Sequence, residues 1–288
     1  MNYEEIINNK YFQEFLKKNP DLRFVGVSGD GEEVFRLQDK NIKYKGDRLF
    51  PVVLGGKEWS LKDQEASAEK YKDKIKRIFD LKNIEKGREE SIKDDIQRIK
   101  IVEKFNFGKN VLEFGCSDGT VSIHIARNKK VSRVVGVDVR KSAIKDANNL
   151  LKRLTAEKFI RKKDSKKVDF VRGDIRKLKL SPKKFDTVCA FEVLEHIHPK
   201  DLTAVFESLY KLMKPWGNMM ISLPNRYPNE KYYKLGRERW PWPDHKNFFS
   251  KLSLEFFLRQ YFKKVKFYPL YKGEPSVEAI YLMCVCSN

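Results

Sequence analysis

From residue 110 onward, short apolar runs alternate with amphipathic stretches. The apolar runs predict buried strands at 110–114, 132–138, 168–172, 185–191 and 217–223, because a strand covered on both faces is apolar along its whole length. The stretches between them have the periodicity of amphipathic helices, at 119–129, 141–159, 200–214 and 250–262. This alternation is typical of a mainly parallel sheet with helices on both faces.

Two further β-rich runs close the chain, Val265 to Tyr271 and Ala279 to Cys286. They flank Gly273 and Pro275, which predict a turn, so we expect a closing antiparallel hairpin. Together with the five earlier strands, this predicts an α/β fold with a seven-stranded, Rossmann-like sheet.

The first hundred residues have a different pattern, which predicts a small α+β region in front of that sheet. It predicts a helix at 3–18 and β-rich segments at 24–27, 34–37 and 49–54. Ile92, Ile96, Ile99 and Val102 recur at helical spacing and predict a helix that packs on the sheet. We therefore divide the chain into residues 1–85, with no assigned role, and a main domain at residues 86–288.

The net charge of +20 is concentrated in the main domain. Residues 1–110 hold 24 Lys and Arg against 21 Asp and Glu, whereas residues 111–288 hold 36 against 19. Such an excess indicates an anionic partner such as RNA, a glycan or a lipid headgroup. The alternative is a solvated, lysine-rich surface.

Cysteine spacing and apolar runs restrict the class of protein further. None of the four cysteines forms a Cys-x-x-Cys pair, so neither a zinc ribbon nor a disulfide framework is indicated. The sequence has no apolar run of membrane-spanning length and no signal-peptide pattern at its start, so we expect a cytoplasmic protein without a membrane span.

The first predicted strand ends in a glycine-rich turn that leads into a helix. Gly115 and Gly119 in this turn would allow a ligand to approach the backbone closely. Asp138 ends the second strand, where a carboxylate can accept hydrogen bonds from the ribose hydroxyls of a nucleotide cofactor. Nicotinamide enzymes share this feature, but their Gly-x-Gly-x-x-Gly fingerprint fails here at its second and third glycines.

The segment from Glu113 to Gly119 resembles the cofactor loop of class I S-adenosylmethionine-dependent methyltransferases, with Ser117 in place of the middle glycine. The resemblance implies that Glu113 orients the loop, that Asp138 holds the ribose and that Asp174 meets the adenine amino group. It implies this set of cofactor-binding residues: Glu113, Gly115, Cys116, Ser117, Asp118, Gly119, Asp138, Val139, Asp174, Ile175 and Phe191.

Catalytic candidates follow the fourth predicted strand, in the sequence Phe191-Glu-Val-Leu-Glu-His196. Residues at the carboxyl ends of parallel strands line the ligand crevice, so Glu192 and His196 are candidates for the chemistry, together with the more distant His245. Three interpretations stay open. The segment shapes the pocket or caps the next helix, His196 acts as a general base, or the segment forms a metal site.

In the metal interpretation, Glu192, Glu195 and His196 share one face of a helical turn, because they stand at i, i+3 and i+4. His245 would add a fourth ligand, and two carboxylates with two imidazoles suit a divalent ion. The set resembles the metal site of methyltransferases that modify the 2′-hydroxyl at the 3′ end of small RNAs.

The sequence therefore predicts an enzyme that transfers a methyl group from S-adenosylmethionine to an oxygen or nitrogen nucleophile. The leading acceptor class is a small metabolite or a glycan or lipid precursor. One alternative is methylation of the RNA ribose 2′-oxygen with a divalent metal. A second alternative, from another class of function, is a scaffold that binds the cofactor without catalysis.

Overall fold

The structure is a computed structural model that describes residues 93–180, 185–225, 245–270 and 281–288, together with the backbone of three short strands near the N-terminus. These strands are β1 (Leu22–Val27), β2 (Glu33–Leu37) and β3 (Lys40–Lys43), and they form an antiparallel sheet in that order. β1 and β2 confirm two predicted β segments, whereas β3 was not predicted. The predicted helix at 3–18 and the strand at 49–54 lie outside the described residues. The division at residues 85 and 86 stays a prediction.

The main domain contains a seven-stranded sheet with helices between its strands. The helices are α1 (Lys93–Lys104), α2 (Thr120–Ala126), α3 (Lys141–Ala156), α4 (Lys162–Ser165), α5 (Pro199–Leu212) and α6 (Lys251–Leu258). The strands are β4 (Asn110–Phe114), β5 (Arg133–Asp138), β6 (Val168–Arg172), β7 (Phe185–Phe191), β8 (Met213–Pro224), β9 (Lys264–Leu270) and β10 (Tyr281–Ser287).

The strand order β6-β5-β4-β7-β8-β10-β9 confirms the predicted fold class. β4 to β8 are parallel, and β10 runs antiparallel between β8 and β9, which confirms the closing pair. Because β5 and β7 lie on opposite sides of β4, the strand order reverses there. A crevice therefore opens at the carboxyl ends of these strands, where ligands bind in such sheets.

Some boundaries differ from the prediction for local reasons. The helix predicted at 141–159 ends at Ala156, because Lys158 adopts a left-handed backbone with φ 63°. The strand predicted at 217–223 begins at Met213, and its pairing with β7 is irregular between Phe185 and Thr187. The sequence Lys-Pro-Trp before Gly217 does not have the alternation of a strand, so the pattern missed this extension.

Apolar side chains fill both faces of the sheet. On one face Leu112, Val188 and Ile221 are fully buried in a cluster that includes residues of α5 and α6. On the other face Val111 and Val134 pack in a cluster with Val102 of α1. Coverage of both faces explains why the central strands are mainly apolar on both sides. Among the described residues, no helix is long and apolar enough to cross a membrane.

Candidate active site

The loop after β4 has a backbone that suits glycine. Gly115 and Gly119 have φ values of 73° and 78°, and Ser117 also lies in the left-handed region at φ 46°. The N–H groups of Gly115 and Cys116 donate to the Val137 carbonyl at 2.8 and 3.0 Å and attach the loop to β5. The loop is therefore fixed between two strand ends, with Ser117 accommodated in place of the middle glycine.

Glu113 lies beneath this loop with only 3% of its surface exposed. Its carboxyl group accepts a hydrogen bond from the Ser122 hydroxyl on α2. Burial raises the pKa of Glu113 to about 8, and the nearby Asp118 and Asp138 act in the same direction. The side chain is therefore mainly protonated at neutral pH and can donate as well as accept a hydrogen bond.

Asp138 ends β5 next to the loop and accepts hydrogen bonds through both carboxylate oxygens. The donors are the N–H of Ser117 at 3.1 Å, the N–H of Arg140 at 2.9 Å and the Arg140 guanidinium at 3.2 Å. The guanidinium also donates to the Ser117 hydroxyl at 3.2 Å. Although burial opposes the charge, the hydrogen bond to Asp138 raises the pKa of Arg140. Arg140 is thus part of the predicted ribose site, and the sequence analysis missed it.

An apolar surface lies beside Asp138. Val139 is 56% exposed and is one of two large apolar side chains exposed among the described residues. Two other predicted contacts are buried: Ile175, which follows β6, and Phe191, which ends β7. Asp174 accepts hydrogen bonds from the Arg176 guanidinium, and these bonds lower the pKa of Asp174.

These features fit the parts of S-adenosylmethionine. All four lone-pair sites of Asp138 accept bonds from Ser117 and Arg140, so ribose hydroxyls would bind there by replacing the Arg140 guanidinium. The exposed Val139 offers an apolar surface for a purine ring, and the glycine loop admits close approach of the methionine moiety. When bound, the cofactor supplies an activated methyl group on a sulfonium. The individual roles of Cys116, Asp118 and the other predicted contacts stay predictions.

Glu192 does not join the histidines, contrary to the predicted helical face. Its backbone is left-handed at φ 49°, and the helical turn begins only at Leu194, as a short 3-10 helix over Leu194–His196. The Glu192 carboxylate accepts from the Ser222 hydroxyl at 2.7 Å and lies 3.3 Å from the Arg98 guanidinium. Because Glu192 lies outside the helical turn, the spacing i, i+3, i+4 does not place it on the same face as Glu195 and His196.

The other three candidates do come together. Ligand atoms of Glu195, His196 and His245 all lie within 4.8 Å of one another. Glu195 is 2% exposed, and its Oε1 is 3.9 Å from His196 Nε2. The two imidazole rings meet edge to face, with centroids 4.9 Å apart. Burial, and the nearby His196, lower the pKa of His245 to about 3, so its ring is neutral at neutral pH.

Asn247 positions this cluster, although the sequence analysis did not select it. Its side-chain amide donates to the carbonyls of Leu194 and Ile197 at 3.1 and 2.6 Å. The backbone N–H groups of Lys246 and Asn247 donate to the Glu195 carbonyl. These bonds hold the segment after His245 against the turn that carries His196. The only signal in the sequence was a polar residue directly before the apolar pair Phe248-Phe249.

Two curated relatives share part of their sequence with this chain. The ubiquinone biosynthesis O-methyltransferase of Vibrio cholerae is 31% identical over 129 residues, which cover 44% of this chain and 47% of the relative. A probable RNA methyltransferase of Arabidopsis thaliana is 37% identical over 75 residues, or 26% of this chain and 22% of the relative. The chain thus spans half or less of the length of these two relatives.

A solved structure shows the same fold. The small RNA methyltransferase HEN1 superposes with a TM-score of 0.57 at 17% identity, over 67% of this chain and 25% of that one. Residues 68–268, more than half of the chain, match the family described as "Methyltransferase domain". With its fold, its cofactor loop and this match, the chain belongs to the class I S-adenosylmethionine-dependent methyltransferase family.

Proposed function

We propose that the chain methylates a hydroxyl oxygen of a small acceptor, either a metabolite or a glycan or lipid precursor, with His196 as the general base. The observation that carries this proposal is the close approach of His196 to both the carboxylate of Glu195 and the neutral ring of His245.

The chemistry of the acceptor favours oxygen over nitrogen. The sulfonium donor is already activated, so the protein has to align the nucleophile and remove its proton. A neutral amine can attack through its lone pair and lose its proton afterwards, whereas a hydroxyl benefits from a base during the transfer. A fixed imidazole beside a carboxylate supplies that base, because the carboxylate stabilises the imidazolium that forms.

The surroundings of His196 support this role. Its side chain is 37% exposed and so is accessible to an acceptor, whereas Glu195 is buried behind it. A positive charge on the adjacent ring would oppose proton uptake by His196, but burial keeps His245 neutral at neutral pH. Two relatives carry the name ubiquinone biosynthesis O-methyltransferase, which denotes methyl transfer to oxygen and also supports the proposal.

The test supplies labelled S-adenosylmethionine to separate pools of RNA, protein, glycan, lipid and small metabolites from a host extract. We expect the label in the small-molecule, glycan or lipid pool. His196→Gln should lower kcat by about 10² to 10⁴, the usual contribution of a positioned base, with unchanged cofactor affinity. His198→Asn is the matched control, because His198 is an exposed histidine two residues away that caps α5. Full activity of His196→Gln would refute the assignment.

The same three side chains support a second candidate, ribose 2′-O-methylation of RNA with a divalent metal. Glu195, His196 and His245 would hold the ion, since a carboxylate and two imidazoles suit a divalent metal ion. In this case EDTA should abolish activity, Mn²⁺ should restore it, and RNA should carry the label. If EDTA has no effect and His245→Ala keeps full activity, the metal candidate is wrong.

A scaffold that only binds the cofactor gives a third pattern. Cofactor binding would then be intact in the purified chain while no pool becomes labelled. That result would refute both catalytic candidates.

A further inference from the structure

The edge of the sheet opposite the cofactor loop carries positive charge and an exposed aromatic side chain. This amino-terminal edge is formed by the loops that lead into β4, β5 and β6 and by the start of β8. We call this surface the basic edge and define it by six exposed residues: Lys129, Lys130, Lys162, Lys163, Lys166 and Trp216.

Hydrogen bonds tie these loops to one another, and the N–H groups of Ser132 and Arg133 join the loops before β4 and β5 by donating to the Lys109 carbonyl. The Lys167 ammonium donates to the carbonyls of Ala126 and Asn128, which ties the loop before β6 to the loop before β5. The Asp186 carboxylate accepts from the Lys109 N–H and from the Lys214 ammonium, and so ties the loop before β4 to the start of β8. With strands about 4.8 Å apart, the five parallel strands from β6 to β8 give an edge about 19 Å wide.

The arginines and lysines of this edge differ in their partners. The arginines lie near carboxylates: Arg127 is 3.7 Å from Glu103, Arg133 is 2.9 Å from Asp169, and Arg161 contacts Asp164. Within the part of the chain that the structure describes, the five lysines of the basic edge form no ion pair. A site specific for one phosphate group typically uses the planar guanidinium of arginine, which can form two parallel hydrogen bonds. Lysine ammonium groups act as point charges, so several unpaired lysines favour a surface that carries many negative charges.

Trp216 adds an apolar group to this charge. Its surface is 75% exposed, and it stands between Pro215 and Gly217 near the start of β8. Tryptophan is enriched where a protein meets the headgroup region of a bilayer, because its ring is apolar and its N–H is polar.

We propose that the basic edge docks on an anionic lipid bilayer, with Trp216 among the headgroups and the lysines near lipid phosphates. Because the parallel strands all point away from this edge, the cofactor crevice would then face the aqueous side and stay open to an acceptor. Such docking would set where the enzyme acts, whichever acceptor it methylates.

The test measures binding of the full chain to vesicles by sedimentation, with phosphatidylcholine alone and with added phosphatidylglycerol. The variant Lys162→Gln/Lys163→Gln/Lys166→Gln should bind anionic vesicles on the order of 100-fold more weakly, since each charge near such a surface contributes about fivefold. Trp216→Ser should also weaken binding. The matched control Lys141→Gln/Lys145→Gln/Lys177→Gln removes three exposed lysines near the opposite edge and should bind as the wild type does.

Added salt should weaken the wild-type interaction, because exposed charges are screened. Equal vesicle binding by the two triple variants, or no preference for anionic vesicles, would overturn the proposal. Tighter binding to single-stranded RNA, with RNA displacing the vesicles, would also overturn it in favour of a nucleic-acid partner. Unchanged thermal unfolding in both triple variants keeps loss of folding apart from loss of docking.

Discussion

Replacing Glu113 with Gln should stabilise the protein increasingly as the pH rises above 5. Burial raises the pKa of this carboxyl to about 8, whereas its ordinary value is 4.5. Below pH 4.5 both the folded and the unfolded chain hold the proton. Between pH 4.5 and 8 the unfolded carboxyl ionises while the folded one stays neutral, so the free energy of unfolding falls as the pH rises.

The size of the effect follows from that interval. One proton bound only by the folded state changes the free energy of unfolding by about 1.4 kcal/mol per pH unit. Over the interval from 4.5 to about 8 this gives a loss of about 5 kcal/mol, a large part of the 5 to 15 kcal/mol typical of a domain. Gln has the same shape, carries no charge at any pH, and can still accept the Ser122 hydroxyl bond.

The assay is urea unfolding of wild type and Glu113→Gln without cofactor at pH 5, 6, 7 and 8. All other titrating groups are common to both proteins, so the difference between them isolates Glu113. We expect the difference to grow in favour of the variant by about 1.4 kcal/mol per pH unit. Leu112→Ala, an uncharged change in the same strand, should lose about 2 to 5 kcal/mol independently of pH. A pH-independent difference for Glu113→Gln would refute the reasoning.

Three further substitutions test the site. Gly119→Ala should abolish cofactor binding in calorimetry and destabilise the fold, because its Cβ would overlap Phe170 at a backbone φ of 78°. Asn247→Ala should cost about 1 to 3 kcal/mol in urea unfolding, because it leaves the carbonyls of Leu194 and Ile197, one buried and one partly buried, without their donor. It should also lower kcat with little change in cofactor affinity, because these bonds hold the segment after His245 against the turn that carries His196. Burial lowers the pKa of His245 to about 3, so between pH 3 and pH 6.5 this histidine is protonated only in the unfolded chain and the free energy of unfolding decreases as the pH falls. His245→Asn should remove this loss of stability on acidification. If the free energy of unfolding of His245→Asn decreases on acidification as steeply as that of the wild type, this explanation is wrong.

The fold and the cofactor loop were largely predictable because their signals are local. A buried parallel strand needs an apolar run, and the run 110–114 is β4 itself. The turn that follows needs left-handed backbone, and glycines at 115 and 119 supply it within five residues. Such features depend on neighbours in the chain, so spacing and residue type are enough to predict them.

The sequence by itself thus determined a doubly covered sheet, the order of its strands and longer helices along the chain, and an acid at the tip of β5; the short helix α4 was not predicted. Only the tertiary structure decided which polar groups meet. The left-handed backbone at Glu192 turns that carboxylate towards Arg98, and Arg140 folds back on Asp138. Asn247 brings His245 to His196 from about 50 residues away in the chain. Helical spacing in a sequence does not show where a left-handed residue interrupts the helix. A local pattern also cannot predict a contact between two segments that are distant in the chain and meet only in the folded structure.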